Sequence, residues 1–149
     1  MSIHKEVIIS EFHKDDLCNL IADVEKYPEF LPWCSAARII SQEAAEHFYA
    51  ELTIKFKNIK KSYVSEVIIT KGKLENLIDV TQTKGPFKYL NNKWLFKTLD
   101  DGRTEIDFFI DFELKSATLS IILSPVLRMA HRQMLEAFIK QANKVLESP

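Results

Sequence analysis

The 149-residue chain is the length of one ordinary domain, and its 46% apolar and 28% charged residues fit a folded rather than a disordered protein. A net charge of −1 excludes a molecule-wide polyanion-binding surface, so any nucleic-acid contact must be local. Three glycines and five prolines leave no room for a flexible linker, and the pattern predicts a single domain over 1–149.

In chain order, residues 3–11 read as a first strand, with Ile3, Val7, Ile8 and Ile9 among charges. His4, Lys5 and Glu6 in that stretch do not fit a secretory signal. A helix opens at His13 and Lys14, with Asp15 and Asp16 in the first turn, where the helix dipole favours negative charge. Leu17, Leu20, Ile21 and Val24 fall at i, i+3, i+4 and i+7, which makes one apolar face. Pro28 and Pro32 lack a backbone donor and divide this region into a second, short, aromatic-rich segment.

From residue 36 the period changes from 3.6 to 2. Phe48, Ala50, Leu52, Ile54 and Phe56 alternate with polar neighbours. Over 103–115, Thr104, Ile106, Phe108, Ile110, Phe112 and Leu114 point one way and charged residues the other, with Phe109 the exception. Such alternation belongs to an antiparallel sheet with one buried face. Turn signals at Lys57-Asn58, Lys71-Gly72-Lys73 and Asp100-Asp101-Gly102 make it a meander. Ser124-Pro125 then resembles an N-cap followed by proline at the first helical position. Leu127, Ala130, Met134, Phe138, Gln141 and Val145 line one side of the helix that follows. The expected fold is α+β: a curved antiparallel sheet of about seven strands wrapped around a long C-terminal helix, with two short helices after the first strand. A sheet gripping one helix rarely fills its interior, which is where apolar ligands bind.

Three segments carry a family resemblance. They are Asp23-Val24-Glu25-Lys26-Tyr27-Pro28-Glu29-Phe30-Leu31-Pro32-Trp33-Cys34, Gly85-Pro86-Phe87-Lys88-Tyr89-Leu90-Asn91-Asn92-Lys93-Trp94-Leu95-Phe96, and Ile110-Asp111-Phe112-Glu113-Leu114-Lys115-Ser116 followed by Met134-Leu135-Glu136-Ala137-Phe138. In order and spacing they resemble the START-like family that contains the coenzyme Q-binding proteins and the RatA ribosome-association toxins. Gln141-Ala142 stands where an arginine–alanine pair is common in that family. The resemblance implies a helix-grip fold, a hydrophobic tunnel and no enzymatic activity. It does not separate the two branches.

The residues offer little catalytic chemistry. No Gly-x-Ser-x-Gly elbow, glycine-rich phosphate loop or His-Glu-x-x-His pair occurs, and no metal site is expected from four scattered histidines. Cys18 and Cys34 lack paired spacing, which with no export signal suggests a reducing, cytoplasmic setting, peripheral to the inner membrane. Cys34 reads as a small buried hydrophobe, and Asp107, Asp111 and Glu113 as a solvated strand face. The ligand-binding candidates are Tyr27, Phe30, Leu31 and Trp33 at a proline-stiffened mouth, with Phe87, Leu90, Trp94, Phe96, Phe108, Ile110, Phe112, Leu127, Met134 and Phe138 inside. Tyr63, Trp94 and His131 are the candidate donors to a head group.

Two functions follow. The first is non-catalytic carriage of ubiquinone or a related polyprenyl lipid, with no cofactor beyond that ligand, at a peripheral membrane surface. The second is binding to the large ribosomal subunit. Lys55, Lys57, Lys60 and Lys61, clustered at one hairpin, would meet anionic lipid in the first case and ribosomal RNA in the second. A cyclase or aromatase on the same fold would need polar groups deep in the pocket, and the inward positions read almost entirely apolar. The sequence carries no signal for an oligomeric state.

Overall fold

The computed structural model describes residues 2–146. Strand β1 (Ser2–Ser10) leads to helix α1 (Lys14–Ala22) and a 3₁₀ segment (Val24–Glu29). Strands β2 (Cys34–Ala44), β3 (His47–Phe56), β4 (Ile59–Lys71), β5 (Glu75–Lys84), β6 (Phe87–Thr98) and β7 (Thr104–Leu114) follow, and helix α2 (Ala117–Val145) closes the chain. The seven strands form one antiparallel sheet in the order β1-β7-β6-β5-β4-β3-β2. The meander and the helix-grip arrangement expected from the sequence are both present.

Helix α1 begins where His13 caps it, the Asp15 amide donating to His13 Nδ1 at 3.1 Å. Leu17, Cys18 and Ile21 form its buried face, while Leu20 lies only half-buried at the margin. The helix is pinned to the β4–β5 turn by a buried cation. Lys14 Nζ donates to the Gly72 carbonyl at 2.9 Å, to Asp15 Oδ1 at 3.0 Å and to Asn76 Oδ1 at 3.2 Å. Asn76, fully buried, returns a bond to Asp15 Oδ1 at 2.8 Å. These bonds, with the Lys14 cation beside it, hold the Asp15 carboxyl below the usual carboxylate range. Lys14→Met should therefore lower stability by about 2 kcal/mol, the cost of stripping charge-assisted bonds from a buried network. Equilibrium urea unfolding would check this, with exposed Lys73→Met as the neutral control.

Strand β7 buries every second residue as its alternation predicts, and Phe109 turns outward beneath Lys5, whose Nζ lies 5.7 Å from the ring centroid. Pairing of His4 with Ile110 and of Ile8 with Ile106 fixes which face of β1 points in. Ile3, Val7 and Ile9 consequently face solvent, each more than half exposed.

Helix α2 starts eight residues before Pro125, so the reading of Ser124 as N-cap is corrected. Ser116 is the cap, its Oγ accepting from the Leu119 amide at 3.2 Å. Pro125 lies inside the helix and forgoes one backbone bond on an exposed turn, where water can serve the freed carbonyl. Ser124 is buried and its Oγ lies 3.2 Å from Ser120 Oγ. The inward line is Leu123, Leu127, Ala130, His131, Leu135, Phe138 and Ala142. Val145, expected on that line, is exposed, and Met134 and Gln141 lie half-buried at its edges.

Candidate functional site

Between the concave face of the sheet and α2 lies a largely enclosed cavity of about 80 Å³. Each wall residue is aimed there by the two-residue period of a strand or by the helical period of α2. Leu90, Asn92 and Trp94 alternate along β6, Tyr63, Ser65 and Val67 along β4, and Ala50, Leu52 and Ile54 along β3. Leu127, Ala130, His131 and Met134 form the roof. Tyr27, Leu31, Trp33 and Cys34 close one side, where the 3₁₀ segment with Pro28 inside it, and Pro32 after it, hold the chain against the sheet.

Of the residues named from sequence, Tyr27, Leu31, Trp33, Tyr63, Leu90, Trp94, Ile110, Leu127, His131 and Met134 line this cavity. Phe87, Phe96, Phe108, Phe112 and Phe138 do not. They are buried in packing around it, with Trp94 meeting Phe108 and Phe138 edge-on at 4.7 and 5.1 Å. Phe30 also lies off the wall. It packs on Phe138 at 5.1 Å and borders an outer groove that Trp33 shares. Their placement as cavity residues is thus corrected: once seven strands close around α2, these six rings are used up in packing rather than in lining. Lys55, Lys57, Lys60 and Lys61 stand exposed at the β3–β4 hairpin.

The wall is more polar than the sequence reading allowed. Ser65 Oγ and His131 Nδ1 are buried with no hydrogen-bond partner among the described residues. Asn92 is satisfied, donating to the Phe109 carbonyl at 2.8 Å and accepting from Trp94 Nε1 at 2.9 Å. Ser65 and Asn92 sit at inward positions of clean strands, so the alternation could have found them. The polarity of the wall therefore does not by itself separate a binding protein from a cyclase. Gly85 lets the β5–β6 turn approach β4 closely: a Cβ there would lie 2.5 Å from Cβ of Tyr63, at a φ of +154°.

Burial holds Tyr27, Cys34, Tyr63 and His131 on the wall neutral. Burial pushes the hydroxyls of Tyr27 and Tyr63 far above their ordinary value, and the Cys34 thiol up to about 11. Burial, reinforced by nearby His4, pushes the His131 imidazole down to about 4. Tyr27 also donates to the Ile21 carbonyl. The cavity thus has uncharged hydrogen-bonding groups in an apolar lining, which admits neutral molecules and rejects ions, because a charge there would lose its hydration without a counter-charge.

The family described as polyketide cyclase/dehydrase and lipid transport matches residues 14–139. A protein of Rickettsia prowazekii named ribosome association toxin RatA is 40% identical over 133 residues, which cover 88% of this chain and 89% of that one. The Xenopus laevis mitochondrial coenzyme Q-binding protein COQ10 homolog B is 29% identical over 145 residues, covering 95% of this chain and 58% of that protein. The crystal structure of the Zhui aromatase/cyclase from Streptomyces superposes with a TM-score of 0.79 at 16% identity, over 99% of this chain and 96% of that one. That last likeness shows the fold alone.

Proposed function

The chain belongs to the polyketide cyclase/dehydrase and lipid transport family, and from that premise we propose that it carries a neutral polyprenyl quinone in the cavity beneath α2. The carrying observation is the neutral wall with two unpartnered polar atoms, Ser65 Oγ and His131 Nδ1. A quinone presents carbonyl acceptors and no charge. The Ser65 and Tyr63 hydroxyls can donate to it, as can a neutral imidazole through one nitrogen.

Size sets how it would enter. An apolar cavity that takes up benzene measures roughly 150 Å³, and this one measures about 80 Å³. A quinone ring therefore enters only when the wall gives way. Each tail methylene sheltered from water gains about 0.8 kcal/mol, but a bilayer offers the same shelter. Net affinity relative to membrane stays small, which suits exchange rather than storage.

The test is uptake of ubiquinone from vesicles by the purified protein, followed by extraction and mass spectrometry. A stoichiometric ligand is expected. Ala130→Phe, which fills the space under the roof, should cut uptake about tenfold or more while overpacking costs about 1–3 kcal/mol of stability. Ser65→Ala, which fills nothing, should weaken uptake less and keep the fold. No uptake by the native protein, or equal uptake by the Ala130 variant with its fold intact, would sink the carrier reading.

A second reading is favoured by the relative named for ribosome association and by the hairpin lysines. On it, the protein binds the large ribosomal subunit through that hairpin. Co-sedimentation that weakens steeply with salt, as phosphate contacts require, and is lost on reversing Lys55, Lys57, Lys60 and Lys61 to Glu, would support it. Salt-insensitive or absent co-sedimentation would remove it.

A further inference from the structure

The charges of this molecule are segregated. In the antiparallel meander, the β3–β4 turn, the β5–β6 turn, the end of β7 and the start of β1 all lie at one end of the sheet, as the pairs Phe56–Ile59, Phe87–Leu114 and Ser2–Phe112 require. Helix α2 starts from that same end, where the Lys115 amide donates to the Pro86 carbonyl at 2.9 Å.

Three of the segments that build it, 54–63, 83–90 and 114–135, contain no aspartate or glutamate. They hold Lys55, Lys57, Lys60, Lys61, Lys84, Lys88, Lys115, Arg128 and Arg132, nine of the chain's 20 Lys and Arg. The remaining 11 basic residues face all 21 acids, so these three segments carry +9 and the rest of the chain −10. All nine cations are exposed, and among the described residues none makes an ion pair. Elsewhere Lys14, Lys26, Arg38, Lys97 and Arg103 are paired.

The same end exposes apolar side chains. Ile121 is 78% exposed and Ile122 43%, on the first turns of α2, turned away from the cavity. We propose that this end docks the protein onto an anionic lipid bilayer, the cations meeting headgroups and the two isoleucines entering the interface. Nucleic acid would satisfy the cations but give two exposed isoleucines nothing to bury against. A bilayer interface takes both, since apolar burial and electrostatic attraction add there. Trp33, Ile54 and Tyr63, which line the cavity, belong to this end, the Lys55 amide bonding the Trp33 carbonyl at 3.0 Å. Docking would therefore bring a wall of the cavity to the membrane.

The experiment is flotation with quinone-free vesicles, so that it does not depend on what the cavity holds. Vesicles of phosphatidylcholine mixed with phosphatidylglycerol should bind the protein, and phosphatidylcholine alone about tenfold less or worse. The pair Ile121→Ser and Ile122→Ser should weaken binding to the mixed vesicles about tenfold. Reversing Lys60, Lys84 and Arg128 to Glu should abolish it. All five positions are exposed, and circular dichroism confirms that each variant is folded. Failure to bind the mixed vesicles, equal binding to neutral ones, or no effect of the isoleucine pair would overturn the proposal. So would co-sedimentation with the large ribosomal subunit that needs the cations, ignores the isoleucines and is accompanied by no vesicle binding.

Discussion

Trp94→Ala is expected to lower the unfolding free energy by about 3–5 kcal/mol, the range for emptying a buried aromatic site. Trp94 is 2% exposed, stacks on Phe96 at 6.4 Å and meets Phe108 and Phe138 edge-on. Its indole also supplies the hydrogen bond accepted by Asn92 Oδ1, which the variant leaves unsatisfied within the cavity wall. Collapse cannot refill the site cheaply, because β6 is held in register by β5 and β7 on both sides. Trp94→Phe keeps the ring contacts and loses the bond, so about 1–2 kcal/mol is expected there. Urea unfolding followed by circular dichroism measures both. A loss below about 1 kcal/mol for the alanine variant would mean that the sheet and α2 are not coupled through this residue.

The second expected result is a loss of stability between pH 6.5 and 4 that belongs to His131. Burial holds its imidazole down to about 4 in the folded protein, against an ordinary 6.5. Across that window the unfolded chain binds a proton that the folded chain refuses. Stability is therefore full above about 6.5 and falls as pH drops toward 4, by about 3 kcal/mol in total. Among the described residues no carboxylate lies beside the ring to rescue the charged form: His4, Arg128 and Arg132 border it, and Glu6 bonds to His4 instead. His131→Leu should flatten this part of the pH profile. The Asp15 and Glu66 carboxylates, whose values are lowered by their bonded partners, begin to lose their contributions as pH falls toward their ordinary values of 3.8 and 4.5, so they overlap only the acid end of the His131 window. An unchanged profile in His131→Leu would show that the ring is reached by water in the folded state.

His131 also shows where sequence reading stops. Its place on the inward line of α2 follows from its spacing to Leu127 and Leu135, which is local. Its neutrality follows from β1 and β7 closing over it, with Phe112 edge-on at 4.9 Å. That depends on strands far away in the chain. The start of α2 is masked in the sequence for a local reason. Ser-Pro is a good N-terminal signal wherever it occurs, and the true cap at Ser116 precedes a stretch, 117–122, whose isoleucines face outward and blur the helical period.

The order of elements, the meander and the inward face of β7 are legible along the chain, because a two-residue or 3.6-residue period is a property of neighbouring residues. So is the inward direction of the aromatic rings. Which of them fill space and which enclose it depends on how the folded strands close around α2. Phe108 and Trp94 face each other across β7 and β6 and look alike in sequence, yet one is packing and the other cavity wall. The same holds for the cations at one end of the sheet, spread over three segments that only hairpin pairing brings together. Register and closure are sums over contacts between distant residues, and no local pattern carries them.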